Sequence, residues 1–115
     1  MLVDTDEPTR RVLCHRLARA GFDVTEETTG PDALAAHRAS PVDVVVAGAR
    51  LPGLDGLGLF RELGEAGAPP PVVLLFWPGN PRAIAAALDA GVADVLVRPL
   101  ALDEVIARIA RLVRS

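Results

Sequence analysis

The chain has 115 residues, half of them apolar and 23% charged, a balance typical of one globular domain and unlike that of a disordered segment. The formal net charge is −3 and no basic stripe is present, so we expect no direct contact with nucleic acid. Cys14 is the single cysteine, which excludes a disulfide framework. The first residues lack a signal-peptide pattern and no apolar run could span a bilayer, so we expect a cytoplasmic protein without membrane contact.

Apolar segments alternate with amphipathic segments along the whole chain, and this alternation predicts five strands and five helices. The first strand covers residues 2–4, and Thr5 or Asp6 caps a helix that has Pro8 in its first turn. The second strand, residues 24–27, is more polar than the others and is expected at a sheet edge. The second helix begins near Pro31.

The third strand is predicted over residues 43–47 and the fourth over Val72–Phe76, and both are nearly continuous aliphatic runs. Such runs are typical of parallel strands that are covered on both faces. Helices are expected after Asp55 and after Pro81. A fifth strand over Asp94–Val97 precedes a last helix whose apolar side chains recur at helical spacing.

Strands and helices that alternate in this way predict a doubly wound parallel sheet with helices on both faces. In such folds, functional residues gather outside the carboxyl ends of the strands. The residues predicted there are Thr5-Asp6-Glu7, Gly48-Ala49-Arg50, Phe76-Trp77 and Arg98-Pro99.

Four segments in the expected order resemble the receiver domain of bacterial two-component response regulators. They are LVDTDEP, AGFDVTEETTGPDAL, DVVVAGARLPGLDGL and GVADVLVRPL. The resemblance covers nearly the whole chain and implies one flavodoxin-like domain over residues 1–115, with strand order 2-1-3-4-5, five helices and a cis Arg98–Pro99 peptide.

An ordinary receiver, as the resemblance implies, is a phosphorylation switch. Two acids after the first strand and an acceptor Asp ending the third strand hold magnesium. A hydroxyl side chain ending the fourth strand contacts the phosphoryl group, and a Lys ending the fifth strand neutralises it. These parts are needed because a carboxylate is a weak nucleophile and the transferred group is strongly anionic.

The present sequence departs from that pattern at each of these places. Gly48 stands at the acceptor position, and Thr5 and Asp6 stand at the acidic pair. Phe76 replaces the hydroxyl side chain and Arg98 replaces the Lys. We therefore predict a degenerate phosphorylation pocket without a specific metal, a cofactor or catalysis.

Asp6 has two interpretations, as a helix cap or as the partner of a cation. We hypothesise that Arg98 or Arg50 reaches Asp6 and fills the space of the metal and phosphoryl group. The alternative is an arginine with a packed stem and a solvated head. Asp4 could bring a second acid into the pocket, but we expect it at the frayed end of a short strand.

Two bulky rings, Phe76 and Trp77, are expected to plug the mouth of the pocket. Trp77 is alternatively an exposed anchor for a partner or a cover for neighbouring core. Val95 stands where the resemblance implies a mobile switch aromatic. Ala86 and Ala90 belong to an alanine-rich fourth helix that could form a contact surface or could reflect helix propensity alone.

We therefore predict an atypical receiver, or pseudo-receiver, that acts in signal transduction or transcriptional regulation through phosphorylation-independent protein contacts. Its partner would be another protein, an output domain, or a second copy bound through the fourth helix, fifth strand and fifth helix. Two alternatives stay open. One is phosphorylation of a displaced acid, Asp4, Asp6 or Asp55, and the other is gating by a small-molecule ligand.

Overall fold

The computed structural model describes residues 1–65 and 67–113. In this part of the chain, five parallel strands form one sheet in the order β2-β1-β3-β4-β5, with five helices between and after them, which confirms the predicted fold class. The strands are β1 (Leu2–Val3), β2 (Glu26–Glu27), β3 (Val45–Gly48), β4 (Val72–Phe76) and β5 (Asp94–Val97). The helices are α1 (Glu7–Arg19), α2 (Gly30–Ala39), α3 (Gly56–Glu65), α4 (Pro81–Ala90) and α5 (Leu102–Val113).

Side-chain caps fix where four of the helices begin. Asp6, rather than Thr5, caps α1 and accepts a hydrogen bond from the Thr9 backbone N–H. The caps of α2, α3 and α4 accept in the same way from the N–H three residues later, and they are Thr29, Asp55 and Asn80. A capping oxygen satisfies one of the backbone donors that a helix leaves unpaired in its first turn, so the chain enters each helix at a defined residue.

The strand bounds differ from the predicted ones in three places. The first strand ends at Val3 instead of residue 4, although the Asp4 N–H still donates to the Glu27 carbonyl over 3.1 Å. The second strand is only Glu26–Glu27. The third runs from Val45 to Gly48, so Gly48 is paired in the sheet and does not lie beyond it.

The sheet separates two apolar layers. Side chains of β3 and β4 alternate between them, as period-two strands require, and both strands are buried throughout, as predicted. Helices α2, α3 and α4 contribute buried side chains to one layer, and α1 and α5 contribute to the other.

The strand order reverses between β1 and β3, which lie side by side in the middle of the sheet. The predicted edge position of β2 is confirmed. Ligands of such sheets bind at the carboxyl ends of the strands near this reversal. Within residues 1–65 and 67–113, no helix combines the length and apolarity needed to cross a membrane.

Candidate functional site

A cleft of about 820 Å³ opens at the carboxyl ends of the strands. Its walls come from the end of β4, from the segments that follow β1, β3, β4 and β5, and from one side of α4. Thr5, Arg50, Phe76, Trp77 and Arg98 all line it. The sheet geometry therefore brings together most of the side chains that the sequence placed at this edge.

A buried ion pair joins the ends of β1 and β5 inside this cleft. Arg98 Nη1 donates to Asp4 Oδ2 over 2.8 Å, and the Asp6 backbone N–H donates to Asp4 Oδ1 over 3.3 Å. Asp4 is 2% exposed and Arg98 is 4% exposed. Charges this deeply buried are tolerated only when each has an opposite charge and hydrogen bonds. The expectation that Asp4 lies at a frayed strand end is wrong.

The hypothesis that Arg98 or Arg50 pairs with Asp6 is wrong, because Arg98 pairs with Asp4 instead. Asp6 accepts hydrogen bonds from both the backbone N–H and the hydroxyl of Thr9, as a helix cap. Arg98 Nη1 donates to the same Thr9 oxygen over 2.9 Å, so its link to Asp6 is indirect. Arg50 is exposed and makes no ion pair among the described residues.

The pKa of the Asp6 carboxyl lies below its ordinary value. The largest cause is the hydrogen bond from the Thr9 side chain, and the nearby charge of Arg98 adds to it. Thr9 is a site residue that sequence reasoning missed. The available signal was its position three residues after a helix-capping Asp, where a hydroxyl can meet the capping carboxylate.

Gly48 ends β3 directly against the ion pair. A Cβ built on Gly48 would lie 2.9 Å from Asp4 Oδ1 and 3.4 Å from Arg98 Nη2. The first distance is shorter than real Cβ contacts, so any side chain here would displace the Asp4 carboxylate. The buried pair thus occupies the space in which a side chain at position 48 would begin.

The Trp77 ring covers the Arg98 guanidinium. The guanidinium carbon lies 4.6 Å from the ring centroid, a cation–π geometry, while Trp77 itself is 55% exposed. The side chain therefore covers a buried charge and presents an aromatic surface at the same time. The Arg98–Pro99 peptide is cis, as the resemblance implied.

The rings of Phe76 and Trp77 were expected to close the mouth of the pocket, but the cleft is open. Phe76 is buried and packs in the apolar layer on the α2–α3–α4 side of the sheet, so its bulk lies mainly in the core. Val95 is half-buried against the same layer. The Trp77 ring lies over Arg98 and leaves the rest of the cleft open.

The residues present do not fit the magnesium ion that the resemblance implies. Magnesium requires oxygen ligands in near-octahedral geometry, usually including one or two carboxylates. The Asp4 carboxylate instead faces a guanidinium, and Gly48 offers no side-chain oxygen. In the part of the chain that the structure describes, no three His, Cys, Asp or Glu side chains are grouped to hold a metal.

The residues predicted to form a contact surface lie on or beside α4. Ala86 is exposed, whereas Ala90 and Val95 are half-buried. Besides Trp77, the large apolar side chains of Leu88 and Val97 are exposed in this region, and sequence reasoning did not single them out. The signal for Val97 was its alternation along β5 with Leu96, which packs in the apolar layer on the α1–α5 side of the sheet.

The model of the response regulator receiver domain family matches residues 1–110. The chain belongs to this family. The receiver is 33% identical over 110 residues to the DNA-binding transcriptional regulator NtrC of Salmonella typhimurium, which covers 96% of this chain and 24% of that protein. It is 34% identical over 114 residues to the response regulator MprA of Mycobacterium leprae, covering 99% of this chain and 50% of that protein.

Solved receiver structures share the fold. The receiver domain of NtrX from Brucella abortus superposes with a TM-score of 0.90 at 26% identity and covers 97% of this chain and 95% of that one. The chain thus spans between a quarter and a half of the length of these two curated relatives and nearly all of a solved receiver domain. It is a receiver domain of the kind used in two-component signalling.

Proposed function

We propose that this receiver is a pseudo-receiver that acts in signalling or transcriptional regulation through protein contacts, without phosphorylation. The observation that carries the proposal is Gly48 at the end of β3, facing the buried Asp4–Arg98 pair. An aspartyl phosphate requires a carboxylate at the rim of the sheet, and a glycine has no side chain to esterify. The domain itself is proposed to have no catalytic activity.

The other acids near the pocket are already engaged in hydrogen bonds. Asp4 Oδ2 is bonded to Arg98, and one carboxylate oxygen of Asp6 is bonded to Thr9. Asp55 Oδ1 accepts from the Gly58 N–H over 2.7 Å at the start of α3. A carboxylate that accepts such bonds is a poorer nucleophile, which disfavours a displaced acceptor.

A permanently formed pair favours one conformation of the pocket. A switch needs two arrangements of similar free energy that a modification can bias. Here Phe76 is buried in the core and Val95 is a small aliphatic side chain without a hydroxyl or ring. We therefore infer that the receiver presents a fixed surface, in the cytoplasm, to a protein partner or an output domain.

That surface is proposed to be the α4–β5–α5 side, including Trp77, Ala86, Ala90 and Val95. Its support is the exposure of Trp77 and Ala86 together with the nearby Leu88 and Val97, since exposed large apolar side chains favour contact with another protein. Leu88 is 52% exposed on α4 and is the best single position at which to test the surface.

The phosphorylation part of the proposal is tested with a small-molecule phosphodonor and magnesium, followed by intact-mass measurement at neutral pH. We expect the unmodified mass, while a receiver that has its acceptor Asp, treated in parallel, gains a phosphate-sized increment. An increment in this receiver would overturn the proposal. Asp4→Asn, Asp6→Asn and Asp55→Asn would then identify the displaced acceptor.

The contact part is tested by sedimentation over a range of protein concentrations. If a second copy is the partner, we expect self-association that is unchanged by the phosphodonor and abolished by Leu88→Glu. Val12→Glu is the matched control, since Val12 is exposed to a similar extent but lies on α1. Self-association that persists in Leu88→Glu and disappears in Val12→Glu would place the surface on α1 and overturn this part of the proposal.

A further inference from the structure

Thr9 links two charged side chains, Asp6 and Arg98, through one hydroxyl group. The hydroxyl donates to Asp6 Oδ2 and accepts from Arg98 Nη1 over 2.9 Å. The direction of both bonds is fixed, because a carboxylate can only accept, a guanidinium can only donate, and a hydroxyl can do both with its single proton. Thr9 therefore ties the position of the Asp6 carboxylate to that of Arg98, and neither bond survives without its hydroxyl.

The Arg98 guanidinium is held at one nitrogen by two acceptors. Nη1 carries two N–H groups, and it donates to Asp4 Oδ2 over 2.8 Å and to Thr9 Oγ1 over 2.9 Å. Two bonds in different directions fix how the planar group is turned, whereas the bond to Asp4 alone would let it rotate about that contact. The orientation of the guanidinium therefore depends on Thr9 as well as on Asp4.

The Trp77 ring rests on this guanidinium. Phe76 and Val97 are paired in neighbouring strands, and the Arg98 N–H donates to the Phe76 carbonyl over 2.9 Å, so the sheet brings the backbones of residues 77 and 98 side by side. The guanidinium carbon lies 4.6 Å from the ring centroid. Trp77 is exposed and belongs to neither apolar layer of the described residues, so the cation–π contact with Arg98 is the restraint on its ring that the structure shows.

We propose that Thr9 is a positioning residue for the contact surface, because its hydroxyl holds Arg98 in the orientation on which the Trp77 ring stacks. A protein partner meets an aromatic ring whose orientation is set from inside the pocket, by side chains that lie beneath the ring. The inference rests on the proposed function in one respect, namely that Trp77 belongs to the surface that contacts the partner.

Trp77 reports its own position, because the chain has one Trp and no Tyr. Acrylamide is uncharged, so its quenching of the Trp emission measures how much of the ring is accessible. We expect Thr9→Val to raise the quenching rate constant by about 1.3-fold to twofold, since the guanidinium covers one of the two faces of the ring. The near-ultraviolet circular dichroism of Trp77 should change with it. Thr9→Ser keeps the hydroxyl and should restore the wild-type values of both.

Thr29→Val is the matched control, because Thr29 also accepts a hydrogen bond at the start of a helix, from the Asp32 N–H, but it caps α2. A merely structural role of Thr9 predicts that both valine variants lower the thermal transition and that neither changes the signals of Trp77. Unchanged quenching in Thr9→Val, or an equal change in Thr29→Val, would overturn the proposal. If Thr9→Val does not fold, Thr9→Ala, with a better helix former, takes its place with the same expected result.

The result is separable from that of the sedimentation experiment. Increased quenching in Thr9→Val, reversed in Thr9→Ser, supports the positioning of Trp77 even where Leu88→Glu leaves self-association unchanged and so overturns the proposed surface. Wild-type quenching in Thr9→Val overturns the inference even where Leu88→Glu abolishes self-association and so supports that surface.

Discussion

Two regions of the receiver pair arginine with carboxylates in opposite surroundings. At the carboxyl edge of the sheet, Asp4 and Arg98 are both buried and their closest atoms are 2.8 Å apart. On α5, Arg108 reaches Asp94 over 3.0 Å and Glu104 over 2.8 Å, but its side chain is 43% exposed. The distances are alike, so burial is what gives the two groups different roles.

Around the exposed Arg108, water can replace either charged partner, so the loss of one partner changes the free energy of unfolding only slightly. In the buried pair, neither side chain can be removed without leaving an isolated charge in the core. The comparison indicates that Asp4 and Arg98 are mutually obligatory, whereas the Arg108 group is a surface feature. We therefore expect the largest losses of stability from substitutions at the carboxyl ends of the strands, where this pair lies.

Asp4→Ala is expected to lower stability more than any other single change considered. It leaves Arg98 buried without a counter-charge, and we expect the free energy of unfolding to fall by about 3–5 kcal/mol. Urea denaturation followed by circular dichroism measures the loss. Arg108→Ala, as the control, should cost only a small fraction of it.

The double variant Asp4→Leu/Arg98→Met shows whether the two side chains act as one unit. Replacing both charges by apolar groups removes the isolated charge, so the double variant should be more stable than Asp4→Ala. Additive losses from separate Asp4→Leu and Arg98→Met variants would contradict the interpretation of a coupled pair.

Gly48→Ala places a methyl group against the buried pair. Its Cβ would lie 2.9 Å from Asp4 Oδ1, and we expect a loss of about 1–3 kcal/mol in urea denaturation. Gly64→Ala is the matched control, because a Cβ there meets nothing within 4 Å inside α3, and this change should stabilise by about 0.5–1 kcal/mol. Equal effects at the two glycines would show that the space beside Asp4 is not constrained.

The smallest expected effect concerns Asp6. Its pKa is lowered in the folded state, so its charge stabilises the fold above the unfolded-state pKa, and this contribution is lost as pH falls through the folded-state pKa. Asp6→Asn keeps a capping side chain without the charge. We expect a flatter decline of stability below about pH 4 than in the wild type, measured by urea denaturation at a series of pH values. A parallel decline in both proteins would contradict the lowered pKa.

Most of the fold could be predicted from the sequence because the periodicity of apolar residues is local. Val72–Phe76 and Asp94–Val97 are strands with the predicted bounds, and Asp6 is the cap of α1. The helices α2, α3 and α4 begin within one residue of the expected positions. These features depend on neighbours a few residues apart, which a sequence displays directly.

The site was harder to predict because its contacts join distant residues. Asp4 and Arg98 are 94 positions apart, and whether Asp4 turns into the pocket depends on the single residue at which β1 ends. The sequence predicted that an arginine reaches the pocket, but it named Asp6 instead of Asp4 as the partner of that arginine. A side chain at a strand end has no periodic pattern that fixes its direction, so only the three-dimensional packing could decide between the two acids.

We propose that the Asp4–Arg98 pair fills the space that a metal ion and a phosphoryl group would occupy. Two-dimensional ¹⁵N–¹H spectra recorded before and after addition of magnesium and beryllofluoride, a mimic of an aspartyl phosphate, test it most directly. We expect the amide resonances of Asp4, Gly48 and Arg98 to stay where they are. Saturable shifts at these residues that spread into α4 and β5 would contradict the claim.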